Sequence, residues 1–455
     1  MRYISLFALF SLAACAPAPN ADVTMARPTA GLSTASGPAT AQLSTVAATT
    51  VSRSNSSIAR DFMDLAFRME SGRAIPAMSR FEGPITVALT GAVPATAAED
   101  LGRVLARFRA EAGIDVQATG GAASITVEFL PRRTMQSIVP TAACFVVPRV
   151  SSWDEYRAAR NSAALDWTTV RVRDRVAIFV PSDTTPQEVR DCLHEELAQA
   201  MGPLNDLYRL SDSVFNDDNF HTTLTGFDML VLRAFYAPEL QAGMGPGDVA
   251  AALPSVLARL NPAGGSVGVP SADIDPRSWT QAIETALGQR GSTPARKAAA
   301  ERAVAIARAQ GWGDNRLAFS YYALGRVNVG SDVAQAVVAF SQAQQIYQSL
   351  PGGGVHAAHV DMQMAAFALS SGQSDEALRY TDRAIPVVRQ AENAALLATL
   401  LLLRAEALEI AGRGAEASAL RLDTAGLARY GFGSDAQVRA RTSEIAALGR
   451  RGGRG

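Results

Sequence analysis

Glycines at 330, 372 and 412 mark the last third of the chain at a spacing of about 40 residues. Each is followed by a helical stretch with residues of like size at matching places: Ala336 and Phe340, Ala377 and Tyr380, Ala417 and Leu420. Each is preceded by another, over 317–327, 362–370 and 400–410. From Pro276 onward the alternating pattern of strands is absent. A two-helix unit cannot bury its apolar face alone, so a repeat of this period must stack on its neighbours. The plainer alternative is an α-helical bundle of the same helices.

Ahead of the repeat the pattern changes. Ile58, Phe62, Leu65 and Ala66 share one helical face, with Ser71-Gly72 as its stop. Residues 84–90 alternate as a strand, 97–112 form an amphipathic helix closed by Gly113, and 125–130 form a second strand. A third strand falls within 170–180 and ends in the apolar run Val176 to Val180. Helices and strands in alternation predict an α+β domain, a mixed sheet with helices packed on it, followed by an all-α repeat. A length of 455 residues accommodates both. A net charge of −1 gives no electrostatic footprint for nucleic acid.

The first 14 residues carry Arg2 and then an apolar stretch too short to span a bilayer, as in a secretory leader. Leu12-Ala13-Ala14-Cys15 resembles the bacterial lipobox. That resemblance implies cleavage before Cys15, acylation of Cys15, and a membrane partner reached through the lipid. Ala16, where an aspartate would signal retention at the inner membrane, implies the periplasmic face of the outer membrane. Residues 16–55 are Ala, Thr, Ser and Pro with few large apolar residues, the composition of a tether. The expected division is therefore leader 1–14, lipidated cysteine and tether 15–56, α/β domain 57–270, helical repeats 271–448 and tail 449–455.

The richest stretch is 185–206. Thr185-Pro186-Gln187-Glu188 predicts a capping box, Val189, Leu193, Leu197 and Met201 form the core stripe, and Gly202-Pro203 stops the helix. Glu195, Glu196 and Gln199 lie on the polar side, and Asn205 and Asp206 follow the glycine. This spacing resembles the metzincin signature His-Glu-x-x-His-x-x-Gly-x-x-His. In frame, Glu196 falls on the general base, Gly202 on the turn glycine, and Glu195, Gln199 and Asn205 on the three ligand histidines. The stretch 57–265 resembles an uncharacterised zincin-like domain of bacterial lipoproteins. That domain shares the form Glu-Glu-x-x-Gln-x-x-Gly-x-x-Asn-Asp, an Asn-Asp-rich turn (here 212–217) and a Leu-Thr-x-x-Asp helix (here with Asp228). Zinc favours imidazole, thiolate and carboxylate, and amides are weak ligands for it, so a Glu/Gln/Asn set suits a harder ion or none. His194 does not complete the motif, because four residues on stands Ala198. No cofactor is expected, with a divalent metal at Glu195, Gln199, Asn205 or Asp206 as the alternative. These residues can equally cap and hydrogen-bond a helix end.

Once Cys15 is set aside, Cys144 and Cys192 remain, an even pair that an oxidising compartment would bridge. The rival reading is a catalytic thiol at Cys192 beside His194. His356 and His359 are spaced for one helix face, as a metal pair or as exposed loop-edge histidines. The repeats resemble tetratricopeptide helix pairs, with 374–378 as the nearest local match, and the resemblance implies a groove for a protein or peptide partner. The functional expectation is a cell-envelope lipoprotein with a degenerate peptidase-like domain acting in binding or assembly. The alternatives are an active metal-dependent peptidase with Glu196 as base, and a purely structural scaffold.

Overall fold

The computed structural model describes residues 51–140, 142–265, 273–288 and 291–452. The leader, Cys15 and the first part of the tether lie outside the described residues. Two compact units emerge, one within Val46–Asp217 and His221–Ile274, the other within Asp218–Phe220 and Asp275–Gly455.

The α/β unit opens with α1 (Asn55–Phe67), β1 (Ile85–Gly91), α2 (Ala97–Arg107), β2 (Val116–Ala118) and β3 (Ile125–Leu130). It continues through α3 (Arg132–Gln136), β4 (Phe145–Pro148), α4 (Trp153–Ala159), β5 (Val176–Pro181), α5 (Pro186–Met201), α6 (Gly226–Phe235) and α7 (Pro246–Leu260). The strands form one sheet in the order β2-β1-β3-β5-β4. All neighbours are parallel except β4, which runs antiparallel to β5 at the edge. Every residue of β5 is buried, which is why it reads as an unbroken apolar run rather than an alternation. Its side chains divide by the two-residue period. Val176, Ile178 and Val180 join the main core with α1, α2, α5, α6 and α7. Ala177 and Phe179 pack on the other face with Met135, Val147 and Trp153.

The unit begins inside the segment read as tether. Ser54 caps α1 by accepting from the Ser57 amide, and Arg53 pairs with buried Asp61 at 2.7 Å. Two strands, β2 and β4, had no expectation from sequence, and the last turn of the 97–112 helix widens into a π-helix over Phe108–Ala112.

The second unit is all helical: α8 (Arg277–Leu287), α9 (Thr293–Ala309), α10 (Asn315–Asn328), α11 (Val333–Tyr347), α12 (Gly354–Ser370), α13 (Ser374–Gln390), α14 (Ala394–Ile410), α15 (Gly414–Phe432) and α16 (Asp435–Gly452). The helices before and after each landmark glycine are α10 and α11, α12 and α13, and α14 and α15. Gly372 and Gly412 take left-handed φ values of 72° and 77°, which turn the chain tightly between paired helices. Leu397, Leu400 and Leu403 of α14 lie at the centre of this unit's core. No described helix is long and apolar enough to cross a membrane. The last helix runs to Gly452, past residue 449 where a tail was expected.

Candidate functional site

α5 carries the motif, and its ends explain its placement. Thr185 accepts from the Glu188 amide at 3.1 Å, and Pro186 occupies the first turn. The reciprocal half of the expected capping box goes elsewhere, since the Glu188 carboxylate binds Arg132 and Thr184. At the other end Arg173 donates to the carbonyls of Gln199 (2.5 Å) and Gly202 (2.6 Å), and its guanidinium lies 4.8 Å above the Trp167 ring. Burial pulls its pKa down to about 10, so it stays charged where the helix dipole is negative. Gly202 is required by space, because a Cβ there would lie 2.6 Å from the Phe235 ring of α6.

From this frame a group of carboxyls comes together. Glu195 and Glu196 extend from α5, Asp206 from the loop after it, Glu70 from the turn after α1, and Asp217 from the loop before α6. Glu70 and Asp217 are exposed, Glu195 and Asp206 half-buried, and Glu196 only 4% exposed. Asp206 hydrogen-bonds Glu70 and accepts from Gln199 Nε2 at 3.2 Å. Glu196 Oε2 and Asp206 Oδ1 are buried without a hydrogen-bond partner. Burial raises Glu70, and burial together with neighbouring carboxyls raises Glu195, Glu196 and Asp206. Burial, Asp217, Glu70 and Asp191 push Glu195 up to about 8. Glu196 is raised well above the carboxylate range by burial and by Glu195 and Glu70. Asp206 is raised likewise by burial, Glu70, Asp217 and Glu195. Glu195, pushed up to about 8, holds its proton at neutral pH and can donate a hydrogen bond.

The five motif residues therefore divide. Glu195, Glu196, Gln199 and Asp206 share one neighbourhood. Asn205 leaves it, its Nδ2 donating to the Asp64 carbonyl of α1 at 3.0 Å. A zinc ion does not fit this set, because the three ligand positions offer one carboxyl and two amides, one of them turned away. Among the described residues no three His, Cys, Asp or Glu side chains converge as a metal-holding group. Sequence reasoning missed Glu70, whose approach depends on the turn after α1 and has no local signal.

The neighbouring elements are structural. Asp228 closes a capping box with Thr225 and also accepts from Ser213 Oγ and the Val214 amide, tying the Asn-Asp-rich turn to α6. Burial pushes its pKa up to about 6. His194 is buried, accepts from the Leu224 amide at 3.2 Å, and is held neutral by burial and by Arg190 and Arg107. His221 donates to the Ser211 carbonyl at 3.1 Å. Cys144 and Cys192 form a disulfide with Cα atoms 6.0 Å apart, which fixes the start of β4 to α5 and removes the thiol reading of Cys192. A surface cleft of about 580 Å³ lined by Thr134, Trp153, Arg157 and Arg160 shares no residue with the acidic group.

In the helical unit His356 and His359 are fully buried on α12, not exposed at a loop edge. Their neighbours are aromatic rings and Asp218.

No curated protein and no solved structure matches the chain. Residues 55–255 match the family described as "Protein of unknown function (DUF2927)", and in this chain that stretch is followed by helical repeats.

Proposed function

We propose that the α/β unit is a peptidase-like frame that binds a peptide or glycan without cleaving it. In this reading the chain is a lipid-anchored protein of the cell envelope, and its repeats are a platform for a protein or peptide partner in envelope assembly. The observation that carries the first part is the ligand set of the motif, which gives up one of its three positions to the fold. A hydrolytic base must take a proton from water at working pH, and burial beside Glu195 and Glu70 raises Glu196 well above the usual carboxylate range, which favours its protonated form. Asn205, at a ligand position, is occupied by a backbone carbonyl of α1 instead. The envelope location rests on the leader and Cys15, and the partner platform rests on the paired helices around Gly330, Gly372 and Gly412. No cofactor enters this reading.

The test is metal analysis of the purified protein together with a peptide- and glycan-hydrolysis screen. Absence of stoichiometric metal, and no turnover that depends on Glu196, are expected. Stoichiometric metal together with an activity lost in Glu196→Gln would establish the peptidase instead. Cross-linking in cells should capture an envelope partner. Capture of none would leave only a scaffold.

A further inference from the structure

We propose that the helical unit contains a recognition pocket for an Asp-x-Phe peptide, that the chain's own residues 218–220 fill it, and that a partner peptide of the same chemistry displaces them. This deepens the reading of the repeats as a partner platform and rests on it.

The pocket has a polar end and an aromatic end. At the polar end Asn315 Nδ2 donates to Asp218 Oδ2 at 2.7 Å, and His356 Nε2 lies 2.8 Å from the same oxygen. At the aromatic end the Phe220 ring meets Tyr322 edge-on at 5.0 Å and His356 edge-on at 4.8 Å. It lies over His359 at 4.4 Å, with Phe319 at 5.9 Å and Tyr347 at 6.2 Å. Asn315, Phe319 and Tyr322 are four and then three residues apart, so α10 presents them on one face. His356 and His359 do the same on α12. These are the first helices of two successive pairs. Between the two buried anchors Asn219 is exposed.

Two features mark residues 218–220 as a replaceable occupant. Asn219 holds a left-handed φ of 59°, which an L-residue adopts at some cost and a free peptide need not adopt. The Tyr347 hydroxyl is buried with no hydrogen-bond partner while the segment is in place. It lies near enough to Asp218 for that carboxylate to help raise its pKa. An unmet buried hydroxyl is unfavourable, and a partner bringing one further acceptor to the acidic end would satisfy it. The partner is therefore a peptide with an acidic residue two positions before an aromatic one. Charge on the acid and edge-to-face packing on the aromatic would recognise it.

The experiment uses the full chain and a labelled peptide of residues 215–222, Phe-Asn-Asp-Asp-Asn-Phe-His-Thr. The double variant Asp218→Ala/Phe220→Ala should bind it at least ten-fold more tightly than the wild type. Adding His356→Ala to that variant should reverse the gain, and a peptide with alanine for the phenylalanine should not bind. A second measurement needs no variant. Millimolar peptide added to the wild type should speed amide exchange across 215–222, and a scrambled peptide should not. A folded double variant that ignores the peptide, or binds the alanine peptide equally, overturns the proposal. If the double variant does not fold, the exchange measurement decides alone, and unchanged exchange overturns it. A chain that captures an envelope partner in cells yet fails these measurements keeps its platform and loses this pocket.

Discussion

Glu195 and its neighbours make one part of the molecule sensitive to pH, and the direction can be worked out. The folded pKa of Glu195 is pushed up to about 8 from the usual 4.5, by burial and by Asp217, Glu70 and Asp191. Between those values the folded chain holds a proton that the unfolded chain has released, so stability falls as pH rises. His194 works the other way: burial lowers its folded pKa well below 6.5, so its contribution rises as pH climbs through the unfolded value and is complete about one unit above it; the comparison with the Glu195 variant cancels it. From pH 6.5 to 8 the wild type should therefore lose about 1.4 kcal/mol per pH unit for each proton retained. Glu195→Gln keeps the shape of the protonated acid and should flatten that slope. Urea unfolding at three pH values checks this, and an equal slope in the variant would show that Glu195 is ionised in the fold. Asn205 gives the contrasting case. Asn205→Ala leaves the buried Asp64 carbonyl without its donor and should cost about 1–3 kcal/mol at any pH in this range. A side chain waiting for a ligand would show no such loss in the free protein.

The elements differ in how plainly the sequence announces them. β5 and α5 were legible because a fully buried strand is an unbroken apolar run, and because Thr185, Pro186 and Gly202 punctuate the helix that follows. The helix pairs were legible through their glycines. β2 and β4 were not, since three or four residues at a sheet edge carry too short a pattern. The acidic group was half legible: spacing on α5 gave Glu195, Glu196 and Gln199 one side, whereas Glu70 enters from a turn 125 residues earlier in the chain. The same is true of Asp218, whose partners on α10 and α12 are set by packing alone. The disulfide joins a short edge strand to the motif helix across a separation of 48 residues. In the chain-entropy account a loop of that size stabilises by about 4 kcal/mol. Cys144→Ser/Cys192→Ser, or reduction of the wild type, should lower the unfolding free energy of the α/β unit by that order. A loss below about 1 kcal/mol would mean that β4 and α5 hold together without the bridge.

At the scale of the whole molecule, the proposed function needs both units at the periplasmic face of the outer membrane, and the sequence offers one means of keeping them there. No described helix is long and apolar enough to cross a membrane, and in the proposed reading the anchor is the lipid on Cys15. A single acyl chain would give marginal, reversible binding, whereas the two or three implied by the lipobox resemblance give stable anchoring. The proposed tether of roughly 40 residues rich in Ala, Thr, Ser and Pro would, at the reach of a flexible chain of that length, extend about 35 Å. That distance would let a domain beginning near Arg53 clear the lipid headgroups and meet a partner. Anchoring in this reading turns on one sulfur atom, that of Cys15. Cells fed a labelled fatty acid should incorporate it into the wild-type chain and not into Cys15→Ser, and the wild type should need detergent for extraction. Label in the variant would place the lipid elsewhere. An unlabelled wild type released without detergent would remove the anchor, and with it the reason for reading the Ala/Thr/Ser/Pro segment as a tether.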